Sequence, residues 1–221
     1  MTSEKTHVYF VPGLAASREI FKNIRLNESE YEVHILDWLL PEKKETLLEY
    51  ARRMSALVQH ENAVLAGVSF GGVVAQEMSA FLRLKKLIII SSVKCRSELP
   101  RRLKLAKTTG AYKLIPTGWA LSLKDLTKLA IGPRSKKRLT LYQEYLSVRD
   151  KHYLDWAIKQ MVCWERTAPL PQVHHIHGDG DIVFPIKNIT NAQVLKGGTH
   201  VMILNKGSKV SKVLENIIEN P

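Results

Sequence analysis

The sequence predicts an α/β domain built on a mainly parallel sheet of about six strands, with helices on both faces and a helical insertion. Three observations carry this. Short, wholly apolar runs rich in Val, Ile and Leu alternate with segments of helical period, as expected where strands are buried on both faces by crossover helices. The 221 residues, 45% of them hydrophobic, suit one domain with a sizeable core. Between Val93 and about Thr167 the strand runs vanish and apolar residues recur every three or four positions, from Leu99, Leu103 and Ala106 to Leu154, Ala157, Ile158 and Met161.

Taken in order, His7–Val11 is an apolar and aromatic run ended by Pro12-Gly13, a strand entering a loop. Tyr31–Leu39 reads as a second strand. Glu45–Gln59 places Leu47, Leu48, Ala51, Met54, Leu57 and Val58 at helical spacing. Ala63–Val68 is a third strand, Gly72–Leu82 a helix and Lys86–Ser91 a fully apolar fourth strand. After the insertion and Ala168-Pro169-Leu170-Pro171 come strands at Val173–His177 and Asn191–Leu195, and a last helix at Val201–Glu219.

Charge is unevenly spread. Lys94–Arg166 holds 17 Lys and Arg against 6 Asp and Glu, whereas the rest of the chain holds 16 against 15, so the segment carries nearly all of the +12. Such a surface is either solvated helix or an attractor of anions. Arg101-Arg102 and Lys136-Lys137-Arg138 are the densest runs. No zinc, helix-turn-helix or RNA-binding pattern accompanies them, so no nucleic-acid partner is expected. Two cysteines, Cys95 and Cys163, are too few for a disulfide framework; Cys163 falls on an apolar helical stripe and reads as core. The N-terminal residues lack a signal-peptide pattern and no run of ~18 apolar residues occurs, so a cytoplasmic protein without a membrane span is expected.

The chemistry centres on Gly67-Val68-Ser69-Phe70-Gly71, a G-x-S-x-G segment between a strand and a helix. That context marks a nucleophile elbow: glycines flank the serine because side chains there would collide across a sharp turn, and the following helix points its free N–H groups at developing negative charge. Serine needs a base held by a carboxylate. Later in the chain, Asp179 and Asp181 sit in His177-Gly178-Asp179-Gly180-Asp181 beyond a strand end, and His200 follows another strand in Gly197-Gly198-Thr199-His200. His174, His175 and His177 share one strand without a Cys or carboxylate pattern to complete a metal site, and are expected to make ordinary hydrogen bonds.

These segments, with the Val11-Pro12-Gly13-Leu14 turn, resemble the α/β-hydrolase superfamily, in its short bacterial form with a helical cap, over nearly the whole chain. The resemblance implies one α/β-hydrolase domain over 1–221, with 94–167 inserted as the cap. It implies Ser69 as nucleophile, His200 as general base and then acid, and Asp181, or in the alternative Asp179, as the carboxylate orienting it. Backbone N–H groups of Leu14 and Phe70 would form the oxyanion hole. The turn departs from relatives in reading Val-Pro-Gly where many have His-Gly. The implied activity is hydrolysis of a small-molecule ester or thioester, an anionic one if the basic cap meets it, with neither metal nor organic cofactor. The alternative is a non-hydrolytic protein of the same fold: a lyase, an acyltransferase, or a binding module using the basic cap. Leu103, Leu114, Ile115, Trp119, Trp156 and Met161 are candidates to line an apolar pocket, although helical apolar stripes more often pack as core.

Overall fold

The computed structural model describes residues 5–114 and 145–220. Six strands, β1 (Thr6–Val11), β2 (Tyr31–Ile35), β3 (Ala63–Val68), β4 (Leu84–Ile90), β5 (Val173–Gly178) and β6 (Gln193–Leu195), form one sheet. All neighbours are parallel, in the order β2-β1-β3-β4-β5-β6. The helices are α1 (Leu47–Ser55), α2 (Phe70–Met78), α3 (Arg101–Thr109), α4 (Lys151–Cys163), α5 (Met202–Asn205) and α6 (Gly207–Glu219).

Strand alternation divides the core in two. Tyr9, Val11, Leu65 and Leu87 point to one face, where α1, α2 and α4 cover them with Tyr50, Met54, Val74, Met78, Tyr153 and Trp156. Val8, Phe10, Val64, Ala66, Ile88, Ile90 and Ile176 point to the other, under α5, α6 and the short 3-10 turn at Arg18–Phe21. Helices on both faces leave the carboxyl ends of the strands as the open edge.

Several boundaries move for identifiable reasons. Strand β2 stops at Ile35 rather than Leu39, because Trp38 turns over the loop after β1 and donates from Nε1 to the Gly13 carbonyl (3.2 Å). Helix α1 starts after Thr46, which accepts from the Glu49 N–H while the Glu49 carboxylate accepts from Thr46 N–H, a capping box; Glu45 lies outside it. The single C-terminal helix expected from the period is two, since Asn23 Nδ2 takes the Leu204 carbonyl (2.6 Å) and Lys206 leaves helical angles.

Between β4 and β5 the described residues are helical or irregular, with no strand among them. Of the pocket candidates, Trp156 and Met161 are buried, Leu103 packs partly against the core and Leu114 is exposed. Ile115, Trp119 and Lys136-Lys137-Arg138 lie outside the described residues. Trp156 packs on Tyr50 (ring centroids 4.2 Å apart) and donates to the Glu45 carbonyl. Cys163 is half-buried rather than core, with the Tyr112 hydroxyl against its sulfur. Among the described residues no helix is long and apolar enough to cross a membrane.

Candidate active site

The serine at the end of β3 occupies a conformation that L-residues rarely adopt. Ser69 has φ 53° and ψ −119°, a strained setting of the kind that survives only where the surroundings over-determine it. The end of the neighbouring strand β4 and the loop after it supply that constraint: Ser69 N–H donates to the Ile90 carbonyl (2.9 Å), and the Ser92 hydroxyl donates to the Ser69 carbonyl (2.7 Å). Both flanking glycines are required. A Cβ on Gly67 would run into the Gly71 backbone, and one on Gly71 into the carbonyls of Pro12 and Val11.

Three loops at the carboxyl ends of strands then meet. His200, after β6, places Nε2 3.0 Å from Ser69 Oγ and Nδ1 2.9 Å from Asp181 Oδ2. The carboxylate is buried, and its other oxygen, Oδ1, accepts from the N–H groups of Val183 (2.8 Å) and Phe184 (2.9 Å). Burial alone would raise the Asp181 carboxyl. The neighbouring His200 charge and hydrogen bond, the Phe184 N–H and His177 outweigh it and hold the carboxyl below its ordinary value.

Of the two aspartates in the loop, only Asp181 reaches His200. Asp179 is exposed and takes the Gly197 N–H (2.6 Å), while Gly180 N–H donates to the Gly198 carbonyl (2.8 Å). These two bonds tie the Asp181 loop to the His200 loop.

On the other side of Ser69 lies the turn after β1. Gly13 lies beside the serine, where a Cβ on it would sit in ordinary van der Waals contact, 3.6 Å from the Ser69 Cβ. Among the described residues, the N–H groups of Leu14 and Phe70 are bonded to no carbonyl or side chain. Phe70 N–H belongs to the first turn of α2, whose donors have no partner within the helix.

Four contributors escaped the sequence reading. Trp38 holds the Gly13 turn, Ser92 braces the serine, and Phe184 brings the N–H that steadies Asp181. The fourth is His177, buried behind the carboxylate: Nε2 donates to the Phe184 carbonyl (2.8 Å) and lies 3.6 Å from Asp181 Oδ2. Its Nδ1 accepts from His175 Nε2 (3.1 Å), so His175 and His177 of β5 do make hydrogen bonds. Only the position of His177 before the Asp181 loop signalled its role. From the basic helix α3, Arg102 donates to the carbonyls of Ile182 (3.1 Å) and Val183 (2.7 Å).

The fold recurs in solved structures. An esterase from Exiguobacterium antarcticum superimposes with a TM-score of 0.74 at 18% identity, covering 100% of this chain and 94% of its own. A hydrolase from Oleispira antarctica gives 0.72 at 14% identity, covering 100% and 93%, and a bromoperoxidase from Bacillus anthracis 0.70 at 17%, covering 98% and 93%. The chain has the α/β-hydrolase fold. Neither a protein-family model nor a curated protein sequence matches it. In α/β-hydrolase terms, Ser69 stands at the strand-to-helix elbow and the sequence order is serine, aspartate, histidine.

Proposed function

We propose that the protein is a serine hydrolase of carboxylic esters or thioesters, working through an acyl-enzyme on Ser69. One observation carries the reading: an unbroken hydrogen-bonded line from Ser69 through His200 to the buried Asp181, at 3.0 and 2.9 Å, on a strained serine. The esterase and hydrolase neighbours lend it support.

As Ser69 Oγ attacks the carbonyl carbon, its proton passes to His200 Nε2 and the carbonyl π pair moves onto oxygen, which the Leu14 and Phe70 N–H groups receive. The carbonyl re-forms, the bond to the leaving oxygen or sulfur breaks, and His200 returns the proton to it. Water, deprotonated by His200, attacks the acyl-enzyme in the same way and releases the acid and Ser69. Asp181 keeps Nδ1 protonated and steadies the imidazolium without itself taking the proton. We read residues 94–167 as a cap, a view supported by the Arg102 bonds to the loop that carries Asp181.

The test is intact mass after a fluorophosphonate probe, beside Ser69→Ala, with p-nitrophenyl esters of several chain lengths and an acyl thioester. A single adduct absent from Ser69→Ala, with turnover on one ester or thioester series, is the expected result. Folded protein with neither adduct nor turnover overturns the reading.

A further inference from the structure

The amino-terminal end of the sheet holds a second cluster of chemically capable side chains. With about 3.3 Å of rise per residue, His7 lies roughly 13 Å back along β1 from Val11 and the turn beside Ser69. Next to it stand His34 on β2 and His60 in the loop entering β3. One ring nitrogen of each falls within 4.8 Å of the other two, and all three residues are half-buried, within reach of solvent. His7 Nδ1 and His34 Nε2 are 3.0 Å apart. The Glu32 carboxylate reaches towards both, at 3.8 Å from His7 Nδ1 and 3.7 Å from His34 Nε2.

We infer that His7, His34 and His60 bind a Zn²⁺-class transition-metal ion, with Glu32 or water as the fourth ligand, cross-linking β1, β2 and the loop before β3. Three imidazoles with an open or carboxylate position suit such an ion far better than Ca²⁺ or Mg²⁺, which prefer oxygen. Metal–nitrogen bonds of about 2.1 Å put tetrahedral ligand atoms about 3.4 Å apart, close to the present His7–His34 separation. The ion would replace that hydrogen bond and open the stack of His7 on His60, whose centroids are 3.4 Å apart.

The surroundings also supply the orienting bond that metal-bound histidines require. The Tyr9 hydroxyl lies 2.6 Å from His60 Nδ1 and accepts from the Gln59 N–H (3.2 Å). Its second lone pair can take an Nδ1–H from His60, the tautomer that frees Nε2 for metal. The strand register accounts for the cluster: Tyr9 pairs with His34 and His7 with Glu32, so these side chains share one face of two adjacent strands. The residues are too far apart in sequence for any motif to reveal them.

The experiment uses the full, tag-free chain stripped with EDTA, titrated calorimetrically with Zn²⁺ and, for geometry, with Co²⁺ followed by visible absorption. One equivalent bound in the micromolar range or tighter, strong tetrahedral-type Co²⁺ bands and a raised Tm are expected. His34→Ala and His60→Ala should each abolish this binding, and Glu32→Gln should weaken it about ten- to hundredfold. Where His34→Ala does not fold by circular dichroism, His60→Ala, in a loop, carries the comparison. His200→Ala should leave the binding intact. No uptake, uptake that survives His60→Ala, or uptake lost in His200→Ala overturns the proposal.

Discussion

His177 and Asp181 are joined through a single residue: His177 Nε2 donates to the Phe184 carbonyl at 2.8 Å, and the Phe184 N–H donates to Asp181 Oδ1 at 2.9 Å. The imidazole therefore holds the carbonyl of the residue whose N–H holds the carboxylate, and Asp181 in turn fixes His200. Removing the ring frees the turn. His177→Ala should lower kcat for a p-nitrophenyl ester by on the order of 10²-fold, the scale of about 1 Å of misplacement, while KM changes little. Full specific activity in the folded fraction would show that His177 only packs.

The two aspartates of the same loop should separate sharply. Asp181→Asn presents an amide where His200 needs a carboxylate, and turnover should fall by about 10⁴-fold, as where an orienting carboxylate of a serine–histidine pair is lost. Asp179→Asn keeps an oxygen for the Gly197 N–H and should stay near wild type. Steady-state kinetics on both variants decide it.

Gly71→Ala should unfold the elbow rather than tune it. The added methyl meets the carbonyls of Pro12 and Val11, which are backbone and cannot rotate away. Overpacking against such atoms costs more than about 3 kcal/mol, visible as a large drop in the urea midpoint or as insoluble protein.

Acid should loosen the fold in two stages. Burial, then their mutual repulsion and Lys94, hold His175 well below the ordinary imidazole value; burial holds His177 below it despite Asp181. Their folded values lie below the unfolded one, about 6.5, so the unfolded chain binds more protons as pH falls. Their stability contribution is complete above that value and is lost as pH falls below it. Asp181, also depressed in the folded state, adds a second loss as pH falls below about 3.9. Thermal melts from pH 8 to 3 should show both stages, and His175→Gln should flatten the first. A Tm independent of pH between 7 and 5 would contradict this.

The parts of this molecule that lie along the chain were legible in its sequence, and those that lie across it were not. Apolar runs marked the central strands, β3 and β4 most plainly, since a strand buried on both faces has no polar period to obscure it, and the glycines around Ser69 marked the elbow. Asp181 could be named beside Asp179 but separated from it only through the family resemblance, because the choice depends on which carboxylate faces His200 across 19 residues. Trp38 read as strand because its apolar neighbours did; its tertiary bond to Gly13 overrides that period. The histidines at positions 7, 34 and 60 meet only through strand register.

The segment that follows β4 is fastened to the loop before β6 by a buried ion pair. Glu98 and Lys94 are both almost fully buried, with Lys94 Nζ 3.6 Å from Glu98 Oε1 and donating to the Thr190 carbonyl. Glu98 Oε2 accepts from Lys94 N–H (2.7 Å), and Oε1 accepts from the N–H (3.1 Å) and hydroxyl (2.9 Å) of Thr190. Glu98→Ala would strand an ammonium and three donors away from water, a loss of about 3–5 kcal/mol in chemical denaturation. Lys94→Met alone leaves a buried carboxylate that still has its donors and should cost less. The pair Lys94→Met with Glu98→Met removes both charges, so its cost should fall short of the sum of the single changes, because the charge left unpaired in each single variant is gone. Strict additivity would mean that the two side chains do not interact in the folded protein.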